Sequence, residues 1–251
     1  MKSRGEFWLF ISAVVVLGVL GVVYSGSPAR WRVLSAYATP LTGRTPSQRE
    51  NAIKACEKLN GALIPPGAVF SFNQRVGTWG RYDGYRRAPV SYGGQLVNAY
   101  GGGVCQASST LYNSALLAGM EILKRHPHQV APSYVPPGLD AAVAIPNIDL
   151  IFRNPHPFPV KIEARAEGDR IVVVMWGRGK IPRYVVEPEI LSVVGNSEIR
   201  VASDRCQLVN PGKSGYWVRV FRRKIDGRVQ ERELLSTNYY PPVHRVVLTT
   251  P

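Results

Sequence analysis

Residues 101–124 read GGGVCQASSTLYNSALLAGMEILK. From 107 onward the apolar residues Leu111, Ala115, Ala118 and Ile122, with Leu116 and Leu123 beside them, recur at helical spacing. That pattern predicts a helix over 107–124 with a wide apolar face. Upstream, Thr45-Pro46-Ser47-Gln48 supplies an N-cap, a first-turn proline and a capping-box glutamine. Ala52, Ile53, Cys56 and Leu59 then repeat at helical spacing up to Gly61, which predicts a second helix. Between the two, from Leu63 to Tyr100, glycines and prolines punctuate short strand-like runs such as VFSFN. After Pro127 the chain turns extended, and residues 148–152, 159–165 and 170–176 read as strands. Further on, YWVRVFRRKI and RVQERELL flank Asp226-Gly227, a hairpin signal. The fold class is α+β: antiparallel and mixed β-sheets with two main helices and a β-rich C-terminal part.

The 251 residues suffice for one large domain or a domain with a small module. The 24 glycines and 20 prolines point to turns and short strands rather than a helical bundle. A net charge of +14 concerns partners: it suits solubility alone, or an anionic setting such as headgroups or wall polymers. No zinc-finger spacing, RNA-binding signature or long basic block accompanies it, so nucleic acid is not an expected partner. Cys56, Cys105 and Cys206 allow one disulfide at most, with Cys56–Cys206 the candidate pair. No metal-ligand spacing occurs, and neither metal nor cofactor is expected.

Residues 7–24, FWLFISAVVVLGVLGVVY, carry no charge and follow Lys2 and Arg4. Eighteen residues at about 1.5 Å each just cross a hydrocarbon core of roughly 30 Å. The run reads as a single-pass signal anchor after a short cytoplasmic N-terminus, 1–6, with a cleaved signal peptide as the alternative. A juxtamembrane linker, 25–44, would lead to the main domain, 45–180, and a β-rich extension, 181–251.

Cys105 carries the chemistry. A cysteine at a helix N-terminus sits beside free N–H groups and the positive end of the dipole, which favours thiolate. The backbone around Gly103, Val104 and Gln106 could hold a developing oxyanion. The glycines strip side chains from the approach, leaving room for foreign backbone or substrate. Cys105 is therefore a candidate nucleophile for acyl transfer, and equally a buried structural thiol under a glycine-rich turn.

Six segments, PPGAVFSFNQRVG, GYRRAPV, GGGVCQASSTLYNSAL, RHPHQ, YVPPGLDA and NIDLIFRNPHPFPVKI, together resemble the VanW family, in order, from about Ser35 to about Gly177. The chain departs from the family pattern at Ser108-Ser109-Thr110, Gln129 and Ala142. Some family members are regarded as L,D-transpeptidases that cross-link peptidoglycan through the motif cysteine, here Cys105. The resemblance implies attack on a stem-peptide carbonyl, a thioester, and aminolysis by an acceptor side chain, on the extracytoplasmic side of the cell membrane. Cysteine amidase or peptidase activity, and a non-catalytic peptidoglycan- or glycopeptide-binding module, are the competing readings.

The base is not fixed by the sequence. His126, His128, His156 and His244 are the four histidines, all downstream of Cys105. A straight helix over 107–124 would put its ends about 27 Å apart, leaving His126 far from the thiol. His128 could return only if the helix is shorter or broken near Gly119. Residues 128–140 span up to about 40 Å, so Tyr134 and Asp140 can come back to it. The candidate site is Cys105 with Asp140, His128 and Tyr134, and each histidine reads equally well as a structural hydrogen-bonder. Asn73 and Arg75 are candidate contacts for a stem peptide and its carboxylates.

Overall fold

The computed structural model describes residues 30–250 apart from 93, 94, 205 and 228. The apolar run 7–24 lies outside them; among the described residues, no helix is long and apolar enough to cross a membrane. In chain order the elements are β1 (Arg32–Pro40), α1 (Pro46–Leu59), β2 (Leu63–Ile64), β3 (Val69–Ser71), α2 (Phe72–Val76), β4 (Arg87–Tyr92), β5 (Gln95–Tyr100) and α3 (Val104–Leu117). The chain continues through β6 (Glu121–Lys124), β7 (Ile151–Arg153), β8 (Val160–Glu167), β9 (Arg170–Gly177) and β10 (Arg183–Val194). It ends with β11 (Glu198–Ala202), β12 (Gln207–Asn210), β13 (Gly215–Asp226), β14 (Val229–Tyr240) and β15 (Arg245–Thr249).

The central layer is a four-stranded antiparallel sheet in the order β1-β9-β8-β2. β9 lies between two partners, and its run IVVVM is buried residue after residue, as a strand covered on both faces requires. Ile171, Val173 and Met175 point into the main core, where α1 and α3 lie against the sheet. Phe72, Leu111 and Phe152 are fully enclosed there, each contributing about 1.5–3 kcal/mol of burial. Phe70, Phe72 and Tyr112, aromatic residues of the motif segments, are all core.

Helix α1 forms as its sequence dictates. Thr45 accepts from the Gln48 amide while the Gln48 side chain accepts from the Thr45 amide, closing a capping box. The expected helix over 107–124 is corrected at both ends. It starts at Val104, ends at Leu117, and residues 121–124 form β6. Gly119, at φ 70, turns the chain where its absent Cβ would meet the Tyr184 ring. β6 then joins β7 in the three-stranded sheet β3-β7-β6. Periodicity alone continued the helix because Ile122 and Leu123 fall at helical spacing.

Two smaller corrections follow. Among the described residues a short third helix, α2, a single turn capped by Ser71, accompanies the two main ones. The cysteines are all free: Cys56 is on the buried face of α1, whereas Cys206 is exposed before β12. The C-terminal strands form two sheets, antiparallel β10-β13-β14 and β11-β15-β12, with β11 parallel to β15. The first is fastened to the rest of the chain by a small cluster in which Val135 and Leu139 pack on Val218 and Val220 of β13.

Candidate active site

Helix α3 is buried nearly all round, yet it is rich in serine, threonine and asparagine. Those groups are satisfied by neighbouring chain, as buried polar groups must be. On one side Gln106 donates to Thr39 Oγ1 (3.0 Å) and the Pro40 carbonyl (2.8 Å), Thr110 meets Thr39 (2.8 Å), and Ser35 donates to the Ser114 carbonyl (2.7 Å). These bonds hold α3 to β1. On the other side Asn113 donates to the Leu139 carbonyl (2.7 Å), Ser108 to the Ala141 carbonyl (2.5 Å), and Ser109 accepts from the Ala141 amide (2.9 Å). This second row lashes residues 139–141 to the first turns of the helix, which brings Asp140 beside Cys105.

Cys105 is the second residue of α3 and is partly exposed. Its Sγ lies 3.5 Å from the Val143 carbonyl, to which the thiol form donates. The His128 ring lies close enough to the sulfur for each to shift the other's protonation. The other side of the ring is fixed: Nδ1 lies 2.6 Å from Asp140 Oδ2, and the His128 amide donates to the same oxygen at 2.6 Å. With Nδ1 committed to the carboxylate, Nε2 is the nitrogen left for the sulfur. Thiol, imidazole and carboxylate stand in one line of contacts.

Asp140 is completely buried and its charge is fully served. Arg125 donates to Oδ1 at 2.8 Å, and the Tyr240 hydroxyl donates to it at 2.5 Å. Arg125 also donates to the Asp140 and Gly138 carbonyls and to Asn238 Oδ1, and its cation lies 5.5 Å from the Tyr112 ring centroid. Burial opposes the Asp140 charge, but the His128 bond and the Arg125 cation outweigh it and hold the carboxyl below its usual range. Burial likewise opposes a charged His128, yet its bonds to Asp140 and Cys105 raise it to about 10. For Cys105, burial again opposes charge, while the bond to His128 and its positive ring bring the thiol below its ordinary value. Both shifts favour a thiolate–imidazolium pair over the neutral pair.

The backbone around the thiol is more occupied than the sequence suggested. The Val104 amide donates to the Gly101 carbonyl and the Gln106 amide to the Gly103 carbonyl, both at 3.0 Å. The Cys105 N–H has no bond to the chain among the described residues and is the better oxyanion donor. The glycine triplet makes room for the protein's own chain rather than for a guest. A Cβ on Gly102 would strike the Pro89 carbonyl, and one on Gly103, at φ 114, the Gln48 carbonyl.

Tyr134 also arrives at the site, its hydroxyl 3.4 Å from Ser109 Oγ. The other candidates serve the fold where they stand. Asn73 donates to the Ile148 carbonyl and its amide to Asp149, while Arg75 donates to the Asn60 carbonyl. His156 bonds the Ala118 carbonyl and stacks on Phe158, the His126 carbonyl pairs with Ala142, and His244 meets Ser197. Sequence reasoning missed Arg125, Tyr240 and Asn238. Arg125 stands beside the His-Pro-His segment, but nothing in a linear pattern ties it to Tyr240.

A family model described as "VanW like protein" matches residues 47–176. The chain is 35% identical over 143 residues to the uncharacterized protein YoaR of Bacillus subtilis, covering 57% of this chain and 47% of that one. It is 31% identical over 123 residues to the vancomycin B-type resistance protein VanW of Enterococcus faecalis, covering 47% and 45%. The chain thus spans about half the length of these curated relatives. Among solved structures, the G5 domain of HP0197 is 20% identical and covers 27% of this chain and 97% of its own, at a TM-score of 0.16. The IgA1 protease G5 domain, 20% identical, covers 29% and 94% at a TM-score of 0.20. At such TM-scores these two likenesses carry no weight here. The family match takes in more than half of the chain, including Cys105, His128 and Asp140, and the chain belongs to the VanW-like family.

Proposed function

We propose that the protein is a cysteine acyltransferase of the cell envelope that makes peptidoglycan cross-links of the L,D-transpeptidase type. The observation that carries this reading is the Cys105–His128–Asp140 line, with its thiol lowered and its imidazole raised. Such a pair supplies a nucleophile and a proton donor together. The Cys105 thiolate attacks the stem-peptide carbonyl before the terminal D-residue, and the Cys105 amide receives the developing oxyanion. As the amide C–N bond breaks, the His128 Nε2 proton passes to the leaving amine and a thioester remains. An acceptor amine then attacks the thioester and yields its proton to His128, and the C–S bond breaks to restore thiolate and imidazolium. One amide is lost and one is made, so no external oxidant or energy source is required. Asp140 holds the ring and balances its charge throughout.

In this reading the apolar run 7–24 anchors the chain in the membrane, with the described residues on the wall side. The test is incubation of the detergent-solubilised full chain with a tetrapeptide stem and a diamino-acid acceptor, followed by intact-protein mass spectrometry. An adduct on Cys105 that passes to the amine, absent in Cys105→Ala, is the expected result. An adduct lost to water would make it an amidase or peptidase. No adduct with any stem, and unchanged wall binding by Cys105→Ala, would make it a binding module.

A further inference from the structure

Two cations reach the chain segment 131–134, which also carries Tyr134 to the site, and neither has a carboxylate partner among the described residues. Arg44, in the loop between β1 and α1, lies over the Tyr134 ring at 4.8 Å and donates to Ser133 Oγ at 3.2 Å. Its Nε is buried and has no hydrogen-bond partner. Lys213 donates through Nζ to the Ala131 carbonyl, and its backbone is pinned to Val243 by bonds of 2.7 and 2.8 Å. The two side chains are close enough for the Arg44 charge to depress the Lys213 ammonium, after burial, which is the larger cause. None of the ion pairs among the described residues includes Arg44 or Lys213.

Two half-buried like charges repel and lose hydration, a cost that an anion bound between them would reverse. Arg44 suits a carboxylate, because it is held over the Tyr134 ring and its buried Nε–H has no partner of its own. Tyr134 joins this pair to the thiol: its hydroxyl approaches Ser109, whose Oγ donates to the Cys105 carbonyl at 2.7 Å. A free carboxylate one residue beyond an attacked carbonyl lies about 3.8 Å further along the chain, so a donor peptide that ends there needs an anion site close to the nucleophile.

Resting on the acyl-transfer reading above, we propose that Arg44 and Lys213 form the subsite for the free C-terminal carboxylate of the acyl-donor peptide. The subsite selects peptides that end beside the scissile bond and places that bond over Cys105.

The test compares the full chain with Arg44→Gln, Lys213→Gln and Arg44→Lys, reading Cys105 by peptide-level mass spectrometry. The first readout is the rate of alkylation by iodoacetate divided by that by iodoacetamide. This ratio falls about fivefold in either Gln variant, as losing a partly solvated charge pair predicts, and is largely kept in Arg44→Lys. The iodoacetamide rate itself stays unchanged, which reports an intact fold and thiolate. The second readout is acylation by a tetrapeptide stem ending in a free acid or in a carboxamide. The wild type prefers the acid, and the Gln variants lose the preference. An alkylation ratio unmoved by both Gln variants overturns the subsite, as does equal acylation of the wild type by acid and amide. A ratio that falls while no peptide acylates Cys105 supports the anion subsite and counts against acyl transfer.

Discussion

The Tyr240 hydroxyl donates to the Asp140 carboxylate at 2.5 Å across 100 residues of chain, and accepts from the Gly138 amide at 3.0 Å. Tyr240 ends β14, beyond the residues that match the family model. The β10-β13-β14 sheet therefore supplies part of the charge network behind the thiol. Gly138 permits the approach, since a Cβ there would press on Val218 and Val220 of β13. Tyr240→Phe removes the hydroxyl and leaves the buried amide and carboxylate short of a partner. It is expected to cost about 1–3 kcal/mol in urea unfolding and to move the Cys105 alkylation profile to higher pH. An unchanged profile would leave Tyr240 a purely structural residue.

Asp140→Asn leaves Arg125 and His128 without their carboxylate in a site where Asp140 is 0% exposed and Arg125 6%. Removing one partner of a buried pair costs about 3–5 kcal/mol. The same change removes what holds His128 positive. Reactivity of Cys105 toward iodoacetamide near neutral pH should drop well before the protein unfolds, and a titration of the rate checks it.

The pH dependence follows from the two shifts. Cys105 lies below its ordinary 9.0 and His128 rises to about 10. The alkylation rate should reach its plateau at a lower pH than an ordinary thiol does, fall as pH drops through the lowered thiol value, and change again at about 10. In His128→Ala, burial and the Asp140 charge raise the thiol against the Val143 contact, and the profile moves upward. For stability the signs differ. The raised His128 contributes fully below its unfolded value and loses that contribution as pH climbs toward about 10. The lowered Asp140 contributes above its unfolded value and loses it as pH falls through its folded one.

Thiol mapping separates the three cysteines. Cys56 is fully buried and its thiol is pushed up to about 12, first by burial and then by Glu57. Native protein treated with iodoacetamide at neutral pH should be modified at Cys105 and at exposed Cys206, and at Cys56 only after denaturation. Modification of native Cys56 at a comparable rate would contradict the packing of α1.

Gly103→Ala tests the turn that delivers Cys105. A Cβ at φ 114 is strained and would meet the Gln48 carbonyl in α1. Backbone strain of this kind costs about 1–3 kcal/mol. The loss should appear as a lower midpoint of thermal unfolding together with slower alkylation of Cys105.

Local chemistry decided much of this protein from its sequence. Thr45, Pro46 and Gln48 specify the start of α1 through bonds that reach three residues, and the apolar run of β9 declares a strand buried on both faces. The glycines before Cys105 announce a tight turn into a helix. Helical periodicity, however, cannot see the end of α3. Ile122 and Leu123 fit the same spacing, and only the pairing of β6 with β7 makes strand the better use of their backbone groups. Which histidine meets Cys105 is likewise a tertiary matter, because it depends on the turn at Gly119 that lets residues 125–128 run back along α3. The charge network needs the whole chain. Arg125, Asp140 and Tyr240 are far apart in sequence, and a buried carboxylate is tolerable only where folding gathers enough donors around it.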